Sequence, residues 1–163
     1  MSRTILGSFV GALAAGALAL PAAHAAGPAT VTVRVEGPDG RLVYEQVRTI
    51  TRPVVKDGEH ACSGTSAAGA LELATRGQWS ASYSSFGYFL TGIAGIESPS
   101  FSEFWTIWRN NRSSSTGLCD TELDDGDELL FFLCRTGPDF SCVNRPLGLL
   151  VPRGRDRTPT VRV

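Results

Sequence analysis

The chain has 163 residues, room for one domain of ordinary size, and its 15 Lys and Arg against 16 Asp and Glu give a net charge of −1. A balance this close to neutral argues against partners bound through charge, such as nucleic acids and anionic membranes. Local asymmetry exists, because Asp120–Glu128 is acidic and the C-terminal tail is rich in arginine.

The N-terminal segment predicts export. Arg3 gives a short basic start, Ile5–Leu20 is apolar or small throughout, and Ala23-His24-Ala25 has the small-x-small form of a cleavage site. We predict a signal peptide over residues 1–25, cleaved after Ala25; the apolar run is short for a membrane span, although an uncleaved anchor is the alternative. The mature protein is expected to be secreted and to lack a membrane span.

Four cysteines lie in the mature chain, and an even count in an exported protein favours two disulfides. A metal site is disfavoured because no Cys-x2-Cys pair exists. Three pairings are possible. We favour Cys134–Cys142, which closes a short loop, and Cys62–Cys119, a long-range cross-link that contributes on the order of 4 kcal/mol in the chain-entropy model.

The mature chain begins with a predicted hairpin. Thr30–Glu36 alternates β-branched and polar residues, the Gly-Pro-Asp-Gly sequence at 37–40 predicts a turn, and Arg41–Thr51 resumes an extended pattern. Pro53 is expected to end strand pairing because it lacks an amide donor, with Val54-Val55 as a short edge piece.

One helix is predicted after the loop Lys56–Gly64. Thr65 or Ser66 is a candidate N-cap, and alanine and leucine between Ala67 and Ala74 fall on one stripe at helical spacing. Arg76 is expected in the last turn, with Gly77 as the residue that ends the helix. A helix this short must pack on a sheet to be stable.

The remaining pattern predicts strands separated by polar turns. Asp-Gly within the acidic turn Asp124–Asp127 supplies a left-handed position typical of hairpins. After Cys142 the segment LGLLVP is extended, and the final TPTVRV is either a last strand or the start of a second module. The predicted strands are Gln78–Tyr83, Phe86–Ile93, Phe104–Arg109 and Glu128–Leu133, with a polar turn over Asn110–Thr116.

The order of hairpin, helix, strands and hairpin lacks βαβ alternation, which favours an α+β fold. We predict a β-grasp-like mixed sheet with one short helix packed on one face. The expected domain spans residues 26–143, followed by an extended tail over 144–163.

The stretch from Trp105 to Leu129 resembles the transcobalamin-like C-terminal domain family. The resembling motifs are Trp105-Thr106-Ile107-Trp108-Arg109-Asn110, then Gly117, then Leu123-Asp124-Asp125-Gly126-Asp127-Glu128-Leu129. Upstream, Thr65–Ala74 resembles the family's helix, and the segment from Gly87-Tyr88 to Gly95-Ile96 resembles its Gly-x-Tyr … Ile-x-Gly segment. The similarity covers about Val31 to Cys134, with Asn111 where the family usually has Gly.

This resemblance implies a secreted domain related to soluble-ligand-binding β-grasps. In cobalamin carriers the domain is a lid, and a separate helical barrel holds the other side of the ligand. The sequence contains no such barrel, so we predict no resident cofactor and keep cobalamin or another small ligand as an alternative.

Catalytic and metal-binding motifs are weak. His60 is the single histidine of the predicted mature chain, so a hydrolase using it with Cys62 or Ser63 is the catalytic alternative. A calcium loop counted from Asp120 places Phe131 where the bidentate Glu is required, and the pattern fails. We therefore predict no metal site and interpret the carboxylates as a solvated turn.

Aromatic residues are the better functional indication. In Phe104–Arg109, strand alternation points Trp105 and Ile107 one way and Thr106 and Trp108 the other. A sheet under one helix buries one face, so one indole is expected to be exposed and to contact a small molecule, glycan or extracellular protein. We predict a non-catalytic binding module whose contact residues are Tyr88, Trp105, Trp108 and Asn110.

Overall fold

The computed structural model describes residues 27–85, 87–98, 102–139 and 141–147. The predicted signal peptide (1–25) lies outside the described residues. So do the final segment TPTVRV and all but the first residue of the segment LGLLVP. The helix within the described ranges is α1, Ala67–Thr75. The strands are β1 Thr30–Gly37, β2 Gly40–Arg48, β3 Val54–Val55, β4 Ala61–Cys62, β5 Trp79–Ser84, β6 Gly87–Ile93, β7 Ile96–Glu97, β8 Glu103–Arg109, β9 Arg112–Ser113 and β10 Glu128–Arg135.

A five-stranded mixed sheet in the order β2-β1-β10-β8-β9 forms the centre of the fold. Its β1 and β10 pair in parallel, whereas its other neighbours are antiparallel. A three-stranded sheet, β5-β6-β7, and the two-stranded pair β3-β4 complete the architecture. The prediction of an α+β fold with one short helix is confirmed in this coarse form.

The inner face of the central sheet holds the main core. Val31, Val33 and Val35 alternate inward from β1 and pack with Leu71 of α1 and Phe131 of β10, all of them buried. This arrangement follows the period-two pattern of β1, which places every second side chain on the same face. The short helix gains stability from this packing rather than from its length.

A glycine lets α1 approach the preceding loop closely. A Cβ built on Gly69 would lie 2.0 Å from the carbonyl oxygen of Gly64, so only glycine fits. At the N-terminus Ser66 occupies the N-cap position without a side-chain bond to the helix amides. The predicted ending is shifted by one residue, because Arg76, with φ 55°, is the left-handed C-cap and Gly77 follows it.

The acidic turn has a different role from the predicted one. Gly126 is left-handed, with φ 86°, as expected, and the predicted strands β8 and β10 do pair antiparallel, but the connection between them is long and includes β9. The amide of Gly126 donates to the carbonyl oxygen of Thr30 at 2.8 Å, and the amide of Thr30 donates to Oδ1 of Asp125 at 2.6 Å. The turn therefore holds the start of β10 against the start of β1.

Both favoured disulfides are formed. Cys62 bonds Cys119 and Cys134 bonds Cys142, which leaves no free cysteine in the described part of the chain. The second bridge starts from a fully buried sulfur on β10 and draws the segment after β10 toward the outer face, which we define as the face of the central sheet opposite α1. This coverage explains why the outer face is not uniformly exposed.

Candidate functional site

The four predicted contact residues do not form one patch. Tyr88 on β6 and Trp105 on β8 are 6% and 5% exposed and belong to the main core. Trp108 lies on the outer face and is half-buried, packed with Leu130. The predicted alternation of the two indoles is confirmed, but a ligand at the surface would not meet both of them.

The hydroxyl of Tyr88 has a structural role. It lies 2.6 Å from Oδ1 of Asp57 and 2.7 Å from the carbonyl oxygen of His60, and it accepts the amides of Lys56 and Asp57 at 3.0 and 3.2 Å. The ring therefore anchors the loop before β4 to β6. This hydrogen bond holds the pKa of Asp57 well below its ordinary range, against the opposing effect of desolvation.

His60 is engaged by neighbours other than the proposed nucleophiles. Its Nδ1 lies 2.5 Å from Oδ2 of Asp57, and its ring stacks on Tyr83 with centroids 3.4 Å apart. Cys62 is bonded to Cys119 and is not a thiol nucleophile. The hydroxyl of Ser63 lies 2.6 Å from that of Thr65, and no hydrogen bond links it to His60 in the described residues. The predicted catalytic pair is not assembled.

Asn110 also serves the fold. Its Nδ2 donates to Oδ1 of Asp127 at 2.7 Å, and its Oδ1 accepts the amide of Glu128 at 2.9 Å. Both halves of the amide are therefore occupied at the start of β10. A ligand would have to displace these bonds to use the side chain.

Arg109 joins the same cluster at the end of β8. Its Nε donates to Oδ2 of Asp127 at 2.7 Å, and its Nη2 donates to Asp124 at 2.8 Å. The hydrogen bond to Asp127 raises the pKa of Arg109 and outweighs desolvation, which lowers it. Burial raises the pKa of Asp127, but bonds from the Asp124 amide and from Arg109 outweigh it and leave the pKa below its ordinary value.

The predicted carboxylate-rich turn is thus bound to arginine and to backbone amides. Within the described residues, no group of three or more His, Cys, Asp or Glu side chains is arranged to hold a metal ion. No described helix has the length and apolarity to cross a membrane.

The outer face carries a row of side chains across the whole central sheet. Strand register places Tyr44 opposite Arg34, Arg34 opposite Leu130, Leu130 opposite Trp108, and Trp108 opposite Ser113. Directly opposite side chains in a sheet lie about 4.5–5.5 Å apart at Cβ, so these groups are in contact range. The row presents an aromatic ring, a cation and an apolar side chain in sequence.

This row forms the floor of a cleft that we call the outer cleft, with a volume of about 280 Å³. Its lining comes from β1, β2, β10 and the turn after β8. Tyr44 is 59% exposed, and the guanidinium carbon of Arg41 lies 5.1 Å from the centre of its ring. The lining residues are Thr32, Arg34, Arg41, Tyr44, Asn111, Glu128, Leu129 and Leu130.

Arg34 has spare hydrogen-bonding capacity in this cleft. Its side chain is 20% exposed, and its buried Nε lies 3.1 Å from Oε1 of Glu36 without the alignment of a hydrogen bond. Glu36 is itself engaged, because its Oε2 accepts the amide of Leu147 at 2.8 Å. The guanidinium is ion-paired with Glu36, but its terminal nitrogens form no hydrogen bond with a described residue and can meet an external acceptor.

A second cavity, of about 400 Å³, lies beside the turn Asn110–Thr116. The small-ligand alternative predicts an aromatic surface at this place. The lining consists instead of hydroxyl and charged side chains: Arg109, Arg112, Ser113, Ser114, Ser115, Thr116, Asp120, Thr121 and Glu122.

The sequence interpretation missed Arg34, Arg41 and Tyr44. Part of the signal was present, because the alternation of β1 places Arg34 on its wet face. The turn at 37–40 does not by itself identify Tyr44 as the residue opposite, since a bulge between Val35 and Glu36 shifts the register. Aromatic content drew attention to residues 79–108 instead, where Trp79, Tyr88 and Trp105 fill the core while Tyr83 and Phe89 are exposed.

Comparison with known proteins finds one family model and solved structures of similar fold. A family model described as Domain of unknown function (DUF4430) matches residues 64–133. No curated protein matches the chain. Among solved structures, haptocorrin in complex with Cbi is similar with a TM-score of 0.52 and 14% identity, over 69% of this chain and 26% of that chain.

A second similar structure is a protein from Ruminococcus gnavus ATCC 29149 named as a "putative metal binding protein". It shows a TM-score of 0.48 and 18% identity, over 66% of this chain and 97% of that chain. The match to haptocorrin covers about a quarter of the length of that protein. This chain itself has a transcobalamin-like fold.

Proposed function

We propose that the protein is a secreted, disulfide-stabilised binding module without catalytic activity, and that its ligand occupies the outer cleft. The observation that carries the proposal is the row of Tyr44, Arg34 and Leu130, which combines recognition groups on an accessible face. Binding sites typically pair apolar walls with a few placed polar groups. Trp108, predicted as a contact residue, continues the row on the next strand and packs against Leu130.

The finer assignments belong to the same proposal. A mixed sheet with one helix on one face supports a β-grasp domain of the transcobalamin-like C-terminal family. Two disulfides support an oxidising, extracellular location. The lack of an assembled nucleophile at His60, Cys62 and Ser63 supports a binding role over hydrolysis.

A corrinoid is the second candidate ligand, favoured by the similarity in fold to haptocorrin, whose structure contains Cbi. The outer cleft is at the small end of the range for ligand sites, so a corrinoid would extend well beyond it. Binding of that kind would need a second surface in addition to this cleft.

The experiment titrates the purified protein with cobalamin, with soluble glycans and with a set of small aromatic fragments. Binding is followed by the amide and indole NMR signals of Arg34, Tyr44 and Trp108. We expect saturable shifts with small fragments, and loss of those shifts in Tyr44→Ala but not in Tyr83→Phe. Saturable binding that Tyr44→Ala leaves unchanged would place the site elsewhere.

A further inference from the structure

We propose that the outer cleft selects a small organic anion, a carboxylate carried on a flat apolar body. This inference rests on the proposed function and names the ligand class of the same cleft. It follows from the charges that line the cleft, the shape of its floor and its volume.

The cationic part of the site is Arg34. Its terminal nitrogens form no hydrogen bond within the described part of the chain, and its Nε is poorly aligned on Glu36. A guanidinium presents parallel donors that match the two oxygens of a carboxylate. The partial cover of the side chain strengthens such a bond, since less water competes for the charge.

Arg41 adds a second cation at the edge of the same cleft. It lies over Tyr44, in a cation–π contact, and forms no ion pair with a described residue. Glu36 lies on the same face, ion-paired with Arg34 and opposite Arg41 in register, but its side chain is covered and its Oε2 accepts the amide of Leu147, so it does not line the cleft. Two guanidinium groups therefore face one carboxylate, Glu128, within the lining.

The apolar part of the site is flat. The ring of Tyr44 and the side chain of Leu130 flank Arg34, because both residues lie directly opposite it on the neighbouring strands. Aromatic rings prefer offset stacking, and a planar ligand can cover both groups while its carboxylate meets the guanidinium. Branched or bulky ligands would not fit a cleft of about 280 Å³ as well.

Glu128 limits the anion to one end of the cleft. It lies opposite Thr32, two residues along β1 from Arg34, a spacing of roughly 6–7 Å in a strand. A second anionic group there would be repelled, whereas a hydroxyl or amine would donate to the carboxylate. This arrangement favours a monocarboxylate over a phosphate or a dicarboxylate.

The test compares probes of one shape and different charge. Benzoate, benzamide and benzylammonium are titrated separately into the protein at pH 7, with inorganic phosphate as a fourth probe, and the NMR signals of Arg34, Tyr44 and Leu130 are followed. We expect benzoate to bind about tenfold or more tighter than benzamide, as a charge-assisted hydrogen bond would give. Benzylammonium and phosphate should bind more weakly still.

Arg41→Gln tests the charge without altering buried contacts. It should weaken benzoate about threefold to tenfold and leave benzamide unchanged, because it removes a partly exposed cation. Arg48→Gln is the matched control, since Arg48 is exposed on the same strand and outside the cleft. Its affinity for benzoate should equal that of the unmodified protein.

The outcomes separate the two proposals. Equal or tighter binding of benzamide or benzylammonium at the same signals would overturn the anion preference and keep the outer cleft as a binding site. Tighter binding of phosphate than of benzoate would overturn the carboxylate assignment in the same way. Failure of every probe to shift these signals would overturn both the ligand class and the location of the site.

Discussion

The hydroxyl of Tyr88 lies 2.6 Å from Oδ1 of Asp57, across 31 residues of sequence. The same hydroxyl accepts two backbone amides of the loop before β4. One phenol therefore satisfies a loop that has no regular strand partners of its own. Loss of a hydrogen-bonding group that leaves covered partners unpaired costs more than loss of a pair.

Tyr88→Phe should lower the free energy of unfolding by about 1–3 kcal/mol, because two amides lose their acceptor and Asp57 loses one of its donors. Urea denaturation at pH 7 measures the change. Tyr83→Phe is the control, since the Tyr83 hydroxyl forms no hydrogen bond within the described ranges, and it should change the free energy by less than about 0.5 kcal/mol. Equal effects of the two variants would contradict the anchoring role.

Asp57 should contribute to the acid sensitivity of the fold. The hydrogen bond from Tyr88 lowers its pKa from the ordinary value of 3.8. A carboxyl whose pKa is lowered on folding stabilises the protein above its unfolded pKa and loses that contribution as pH falls through the folded pKa. The contribution of Asp57 to the free energy of unfolding should therefore be constant above about pH 5 and decrease below about pH 4.

Denaturation of Asp57→Asn between pH 2 and pH 6 tests this dependence. Below pH 4, the free energy of unfolding should decline less steeply in the variant than in the unmodified protein. Some decline should remain, because the pKa of Asp127 is also lowered. Asp39→Asn, in the exposed turn between β1 and β2, should keep the full decline. An unchanged acid slope in Asp57→Asn would show that this carboxyl does not couple to folding.

Local patterns predicted much of the fold. Alternation in β1 and β8 separated the two faces correctly, and the turn residues at 37–40 gave the opening hairpin, because both depend on neighbours in sequence. The parallel pairing of β1 with β10 joins residues almost a hundred positions apart, and no local pattern encodes it. The acidic turn was predicted as part of a hairpin of β8 and β10, and these strands do pair, but its bonds to the start of β1 were not predicted.

The candidate site was harder to predict for the same reason. Tyr88 is a core residue because distant loop atoms surround its hydroxyl, and Asn110 is occupied because β10 begins beside it. The outer cleft needs three strands in register before Arg34, Tyr44 and Leu130 meet. A composition-based search for aromatic residues finds rings but does not distinguish a core from a surface.

The two disulfides should differ in their contributions to stability. Cys62–Cys119 spans a sequence separation of 57 and Cys134–Cys142 one of 8. In the chain-entropy model, these loops correspond to about 4 and about 2.5 kcal/mol. The longer loop restricts the unfolded chain more, so its removal should cost more.

Paired replacements measure this difference without creating a free thiol. Guanidinium unfolding of the double variant Cys62→Ala/Cys119→Ala should show the larger loss relative to the unmodified protein, and Cys134→Ala/Cys142→Ala the smaller. The two variants serve as controls for each other, because each replaces two sulfurs by two methyl groups. A reversed order would show that native contacts around Cys134, rather than chain entropy, dominate.

Substitutions in the turn between β8 and β9 can separate the contribution of backbone conformation to stability from that of side-chain hydrogen bonds. Asn110 and Asn111 have φ of 51° and 62°, so both central residues are left-handed, as a type I′ turn requires. Asn111→Gly should keep stability within about 0.5 kcal/mol, since glycine adopts this conformation readily, whereas Asn111→Ala should cost about 1–2 kcal/mol.

Asn110→Gly is the matched comparison. Its backbone is equally suited to the turn, but it loses the bonds to Asp127 and to the amide of Glu128, so it should be less stable than Asn111→Gly by about 1–3 kcal/mol. Thermal and urea denaturation of the three variants rank them. If Asn110→Gly were as stable as Asn111→Gly, the amide of Asn110 would be dispensable to the fold and available to a ligand, as the sequence had predicted.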